Sequence, residues 1–397
     1  MKKRELWMLM TAILCTGCGM EKIPQSSIPA PDSLTSATET VQVVQPQSDK
    51  ISAMLTEMTL AEKVYQMFIV TPESLTGESP VTLAGEITRN ALESQPVGGL
   101  IYFADNLVSV EQTSLMIANS QSYMADSCGI GLYIAVDEEG GKVARAAKNL
   151  GTTEFSPMAE YGADNDRAQA YEIGQTIGKD LKAIGFNLDF APVADVNLCS
   201  GNELGDRIFS DNPEVVANMV SGVVEGLQNA GVSATLKHFP GLGAEDGNAH
   251  DDAAVIIRRS LEELRTAEFV PFRSGIESGA DFVMVGHQVM TGIGDTLPAD
   301  LSHHVATELL REELGFTGIA VTDSHMMNTI TAMRTPAEAA VLSVQAGMDI
   351  ILMPDDLTQA AEGVIEAVES GVITEERIDE SVARILAHKE KMGLLAE

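Results

Sequence analysis

The sequence predicts an α/β protein folded as a single (β/α)8 TIM-type barrel over residues 51–397, and three observations carry that prediction. Eight short apolar runs recur along the region, at 65–70, 99–103, 132–136, 188–193, 234–237, 282–285, 319–322 and 350–353. Helical patterns separate most of them. Five of the runs lead into titratable residues, as the strand ends of a barrel enzyme do.

Each element has a physical reason. The eight runs lack polar alternation, as expected of strands in a sheet buried on both faces. Between them, 168–183, 213–230, 260–278, 305–314 and 337–346 carry apolar residues at helical spacing. Strand and helix in alternation imply parallel pairing, and eight such units suit closure into a barrel better than an open sheet. A last helix over 375–392 is expected to cover the barrel. The barrel region contains no second domain boundary.

The N-terminus reads differently. Lys2, Lys3 and Arg4 precede an apolar run at 6–14 and then Cys15-Thr16-Gly17-Cys18. Basic, apolar and small residues in that order make a secretory signal, and the run is too short to span a bilayer. The segment 1–18 resembles a bacterial lipoprotein signal, with Cys18 as the lipidated residue; a simple cleaved signal is the alternative. Residues 19–50 are rich in Pro, Ser, Thr and Gln and poor in large apolar side chains, so a flexible tether is expected. These readings place the protein outside the cytoplasm, held to the cell membrane by a lipid anchor. Only Cys128 and Cys199 remain for the barrel, too few for a disulfide scaffold in a domain of this size.

Charge narrows the partners. Lys and Arg number 25 against 58 Asp and Glu, a net charge of −33, so the surface repels nucleic acid and anionic lipid. A monomer is expected. His303 and His304 lack a third ligand at metal-binding spacing and read as a surface pair at a helix start; neither metal nor cofactor is expected. The strand ends are more telling. In order they meet Asp137-Glu138-Glu139, Asp195, Lys237-His238, His287 and Asp323.

At these residues the chain resembles glycoside hydrolase family 3, in particular its single-domain β-N-acetylglucosaminidases. The resemblance covers nearly all of 51–394, through LYIAVDEEGGKVAR, GFNLDFAPVADVN, GDRIFSDNP, TLKHFPGLG, LGFTGIAVTDS, AGMDIILMP and RIDESVARILAHK. It implies a barrel, a small glycan substrate and a retaining mechanism, in which a carboxylate captures the sugar and a second group protonates the leaving oxygen. Asp323 stands at the nucleophile's position. His250 matches the general acid/base, and an imidazole suits that role because it titrates near neutrality. Asp137, Arg207, Lys237 and His238 match sugar binders. Arg145, Asp195 and His287 are weaker candidates, for which hydrogen bonding within the barrel is an equal reading.

The chain departs from the family pattern at four places. Asn248 stands two residues before His250 where an aspartate is usual; it can orient the ring but cannot stabilise its cation as a carboxylate does. Leu242 replaces a common histidine, Lys142 an arginine, and His325 an apolar residue after the nucleophile. The implied activity is release of terminal β-linked N-acetylglucosamine from peptidoglycan fragments or other glycans. A family 3 phosphorylase, a β-glucosidase or xylosidase, and a catalytically silent sugar-binding lipoprotein stay open.

Overall fold

The computed structural model of the chain describes residues 49–246 and 254–396. Eight parallel strands form its centre: β1 Phe68–Val70, β2 Gly99–Ile101, β3 Tyr133–Val136, β4 Leu188–Asp189, β5 Ser233–Phe239, β6 Phe282–Val285, β7 Ile319–Ser324 and β8 Ile350–Leu352. Each pairs with its sequence neighbours, and β1 pairs with β8 (Phe68 opposite Ile351), so the sheet closes into a barrel. Nearly every strand residue is buried, because side chains point either into the barrel or against the outer helices.

The expected strands are all present, the sixth with the expected bounds and the others with shifted ends. β1 starts at Phe68 rather than residue 65, because Tyr65 and Gln66 finish the helix Leu60–Gln66, which Thr59 and Glu62 cap reciprocally. The fourth run is only two residues of strand. Pro192 has no N–H to give the ladder, and pairing resumes as one bridge between Val193 and Lys237. The pattern at 260–278 divides into Leu261–Thr266 and Phe269–Glu277, with Ala267 off helical geometry between them. His304–Glu313 winds as a π-helix. A short antiparallel ribbon, Glu138–Gly140 with Val143–Ala144, follows β3 and was not foreseen.

Close approach explains two glycines. A Cβ on Gly99 would lie 2.7 Å from the carbonyl oxygen of Tyr133 in the next strand, and one on Gly174 would lie 2.3 Å from that of Val223. The second contact lets helices Arg167–Ile184 and Pro213–Asn229 pack directly on each other.

The helix Glu375–Lys391 covers the end of the barrel where the strands begin. Ile378, Val382, Ile385 and Leu386 are buried under it. Tyr133, the first residue of β3, donates its hydroxyl to the Ile385 carbonyl at 3.2 Å. Just before β8, Asp349 is wholly buried and accepts from Arg384 at 2.9 Å, Ser381 at 2.7 Å and the Ala320 amide at 3.0 Å. This floor leaves the other end, where the strands finish, as the open face. Cys128 and Cys199 are both free thiols. Among the described residues no helix is long and apolar enough to cross a membrane.

Lys389 in this floor is fully buried. Its Nζ donates to Gln66 Oε1 at 2.8 Å and the Gly98 carbonyl at 2.9 Å, and no carboxylate pairs with it among the described residues. Burial pulls its pKa down to about 7, against 10.5 for a free lysine. The unfolded chain therefore holds an extra proton between those values, and folding stability from this group rises with pH across that window. Relative to Lys389→Met, the wild type should gain on the order of a few kcal/mol between pH 7 and 10.5, and nothing below pH 6. Chemical denaturation of both proteins at several pH values measures this; parallel curves throughout would contradict the lowered pKa of Lys389.

Candidate active site

Five strands deliver the charged side chains to the open face. β3 runs into Asp137, Glu138 and Glu139; β4 into Asp195; β5 carries Lys237 and His238; β6 leads to His287; β7 holds Asp323. Arg207 arrives from a single 3-10 turn, Gly205–Arg207, in the long connection after β4.

Glu139 anchors the cationic side. Its carboxylate is 2% exposed and takes a bidentate pair from Arg207, with Nε and Nη2 both at 2.7 Å. The same carboxylate lies 2.6 Å from Lys237 Nζ. Lys237 reaches Asp137 Oδ1 as well, at 3.0 Å, so one ammonium joins two carboxylates. Burial alone would raise the Glu139 pKa; the Lys237 and Arg207 charges reverse this and hold it down at about 2. Fork geometry suits arginine here, since a planar guanidinium matches a carboxylate edge to edge. The preceding Glu138 differs. It accepts from the Ala146 and Ala147 amides at 2.6 and 3.1 Å, yet burial lifts its pKa to about 7.

Asp137 is part-exposed, with Arg145 at 3.4 Å on its second oxygen. Arg145 also lies over the Phe103 ring, its Cζ 4.8 Å from the centroid. Asp195 is completely buried. It accepts from the His238 amide at 3.0 Å, from the Leu242 amide at 2.6 Å, and sits 2.8 Å from His238 Nδ1. With Nδ1 donating to that carboxylate, His238 keeps Nε2 as its remaining polar atom. The Leu242 amide serves the fold here, and its side chain is buried.

Asp323 occupies the end of β7 and is part-exposed. The Ser324 amide donates to its Oδ1 at 2.7 Å. Burial would push its pKa up, but the charges of His287, His238 and Lys237 and that amide bring it below the usual carboxylate range. An ionised, partly open carboxylate at a strand end is a group that can act as a nucleophile.

Of the residues expected from sequence, Asp137, Arg207, Lys237, His238 and Asp323 are brought together, with Arg145 at the edge. Asp195 and His287 lie beneath, in hydrogen-bonded core positions. His250, Asn248 and Cys18 lie outside the described residues. His304 pairs with Asp295 at 2.9 Å, and no metal-binding cluster occurs among the described residues. Sequence reasoning missed two members, Glu139 and Asp300. Glu139 passed as one more acid after Asp137 and Glu138, and only its pairing with Arg207 and Lys237 distinguishes it. Asp300, in a turn after β6, offered no signal of its own.

A parallel barrel with carboxylates and cationic groups gathered at the strand ends is the arrangement from which barrel enzymes build their sites. The family signature described as "Glycosyl hydrolase family 3 N terminal domain" matches residues 59–388, and the chain belongs to that family. It is 32% identical over 322 residues to "Beta-hexosaminidase A" of Pseudoalteromonas piscicida, covering 75% of this chain and 54% of that one. It is 33% identical to "Beta-hexosaminidase" of Nitrosomonas eutropha, covering 71% of this chain and 80% of that protein. In structure it resembles a glycoside hydrolase family 3 β-N-acetylglucosaminidase from a Paenibacillus species, with a TM-score of 0.79, 38% identity, and coverage of 85% of this chain and 63% of that one. The chain thus spans little more than half the length of the first relative. The expected family and barrel fold are borne out.

The Glu139 network makes a direct prediction. Its folded pKa of about 2 lies below the ordinary 4.5, so its stabilisation is complete above pH 4.5 and fades as pH falls toward 2. That difference corresponds to about 3 kcal/mol. Glu139→Gln should lose stability of this order at pH 7 and less at pH 3, and should raise KM by freeing Lys237 and Arg207. Calorimetry across that range with parallel kinetics reads both; a variant as stable as wild type at pH 7 would contradict the network.

Proposed function

We propose that the chain is a retaining, exo-acting β-N-acetylhexosaminidase that releases terminal β-linked N-acetylglucosamine, with Asp323 as nucleophile. The observation that carries this reading is the position of Asp323: ionised, part-exposed, and under the charges of Lys237 and His238 at the strand ends. In the first step the Asp323 carboxylate bonds to the anomeric carbon while His250 gives a proton to the leaving oxygen. In the second, His250 takes a proton from water, which displaces the carboxylate. Asp137 accepts from two ring hydroxyls, being an acceptor-only group when ionised. Arg207, Lys237 and His238 donate to the sugar, and Asn248 orients His250. The N-acetyl specificity draws support from the relatives' names, "Beta-hexosaminidase", and peptidoglycan fragments are the proposed source.

The location follows from the leader. We propose that Cys18 carries the lipid, that 19–50 is the tether, and that 51–397 works as a monomeric barrel outside the cytoplasmic membrane. Cys18→Ser should move the protein from the membrane to the soluble fraction; continued membrane recovery would overturn the anchor.

A panel of nitrophenyl glycosides tests the activity. The N-acetyl-β-glucosaminide should be cleaved in preference to the β-glucoside and β-xyloside, and Asp323→Ala should lower turnover on the order of 10³-fold or more. In the same panel His250→Ala should slow the nitrophenyl substrate less than a natural disaccharide, since a good leaving group needs little protonation. Cleavage undiminished in Asp323→Ala would end the proposal. Equal losses on both substrates would remove His250 from the acid role.

A further inference from the structure

Beneath Asp323 lies a second charged group that the proposed reaction does not use. Asp300, from the 3-10 turn Ala299–Leu301, is wholly buried, and His287 and His325 beside it are each 2% exposed. The carboxylate is shared between the two rings. His287 Nδ1 lies 3.0 Å from Asp300 Oδ1, and His325 Nε2 lies 2.9 Å from Oδ2. A buried carboxylate persists only where its charge is matched and its oxygens are bonded.

The hydrogen-bond partners fix the protonation of each ring. His287 Nε2 lies 2.9 Å from the carbonyl oxygen of Ser324, an atom that can only accept. Its Nδ1 faces a carboxylate, which also accepts. An imidazole with acceptors at both nitrogens carries both protons, so His287 is a cation. His325 differs, since Nε2 donates to Asp300 while Nδ1 has no partner among the described residues, as befits a neutral ring. The two ring centroids are 5.7 Å apart, and two cations at that distance around one carboxylate would repel.

Ser324 connects this pair to the nucleophile. Its carbonyl accepts a hydrogen bond from His287 Nε2, and its amide donates to Asp323 Oδ1. The His325 backbone is fixed too, with its amide donating to the Leu352 carbonyl at 3.0 Å. We propose that Asp300, His287 and His325 act as a positioning unit for Asp323: Asp300 holds His287 as a fixed cation, which clamps the turn after β7 and keeps the Asp323 carboxylate aimed and ionised. His325 completes the unit by occupying the second oxygen of Asp300. This inference rests on the reading of Asp323 as nucleophile.

The electrostatics agree with the geometry. Burial would lower the His287 pKa, but Asp300, helped by Asp323 and the Ser324 carbonyl, raises it to about 9. His325 moves the other way under burial, with the His287 charge adding to it against the pull of Asp300 and Asp323. The charged groups acting on Asp323 itself are His287, His238 and Lys237.

Two measurements test the unit on the full chain. The first is independent of activity: nitrogen-15 spectra of the histidine rings, with His287 assigned by loss of its signals in His287→Gln. In the wild type, His287 should stay doubly protonated from pH 6 to 8; in Asp300→Asn it should be neutral at pH 7.5. A wild-type His287 that is neutral at pH 7 overturns the inference. The second is the pH profile of kcat/KM on the nitrophenyl substrate. Asp300→Asn should move the acid limb upward by about one pH unit and lower kcat more than it changes KM. Asp295→Asn, which removes the pair with His304, should leave the profile in place. An unmoved limb in Asp300→Asn, with kcat and melting temperature falling together, would reduce the cluster to a structural role and overturn the proposal. A wild type that cleaves no glycoside would instead defeat the reading of Asp323 as nucleophile, and the ring spectra would still report the Asp300–His287 pair.

Discussion

Barrel closure sets the spacing of the strand ends at the mouth. Eight strands of two to seven residues are paired on both edges, so none can slide without breaking two ladders. Because all eight run parallel, their last residues share one rim, and side chains far apart in sequence meet there. Asp137 and Lys237 stand 100 residues apart and lie within hydrogen-bond reach. The same closure makes the opposite end a floor, sealed by the helix Glu375–Lys391 through Asp349, Tyr133 and Lys389. One end is occupied by structure, which leaves the other for chemistry.

Within the rim, charges are buried in matched groups. Glu139 is met by Arg207 and Lys237, Asp195 by His238 and two backbone amides, and Asp300 by His287 and His325. Unmatched burial would drive each carboxylate to hold its proton; matched burial keeps Glu139 and Asp323 ionised where a solvated site would leave them mobile. The contrast with Glu138 is instructive. It receives only backbone amides and a more distant Arg145 charge, and its pKa rises to about 7. Two adjacent glutamates in one ribbon strand thus differ by the charges that surround them.

Much of this was legible in the sequence, for a physical reason. Strands of a parallel barrel are buried on both faces, so each is written as an unbroken apolar run, and the residue that ends the run is the residue at the rim. That logic located Asp137, Lys237, His238 and Asp323 together. It failed where a neighbour's contribution decides. The inner face of the capped helix Leu60–Gln66 merges with β1 in a one-dimensional reading, which lengthened the first strand. Glu139 looked like loop charge because its partners are 68 and 98 residues away. Asp300 was invisible because a turn residue reveals nothing of the two imidazoles it joins. His287 was visible but ambiguous, because nothing in the sequence reveals its two acceptors, Asp300 and the Ser324 carbonyl.

The proposed reaction depends on Asp323 forming a bond to a sugar. A 5-fluoro N-acetylglucosaminyl fluoride, which forms the glycosyl-enzyme faster than water removes it, should leave the protein heavier by one fluorinated sugar. Peptide mass spectrometry should then place the label on Asp323. An unlabelled protein that still turns over substrate, or a label on any other carboxylate, would contradict the account.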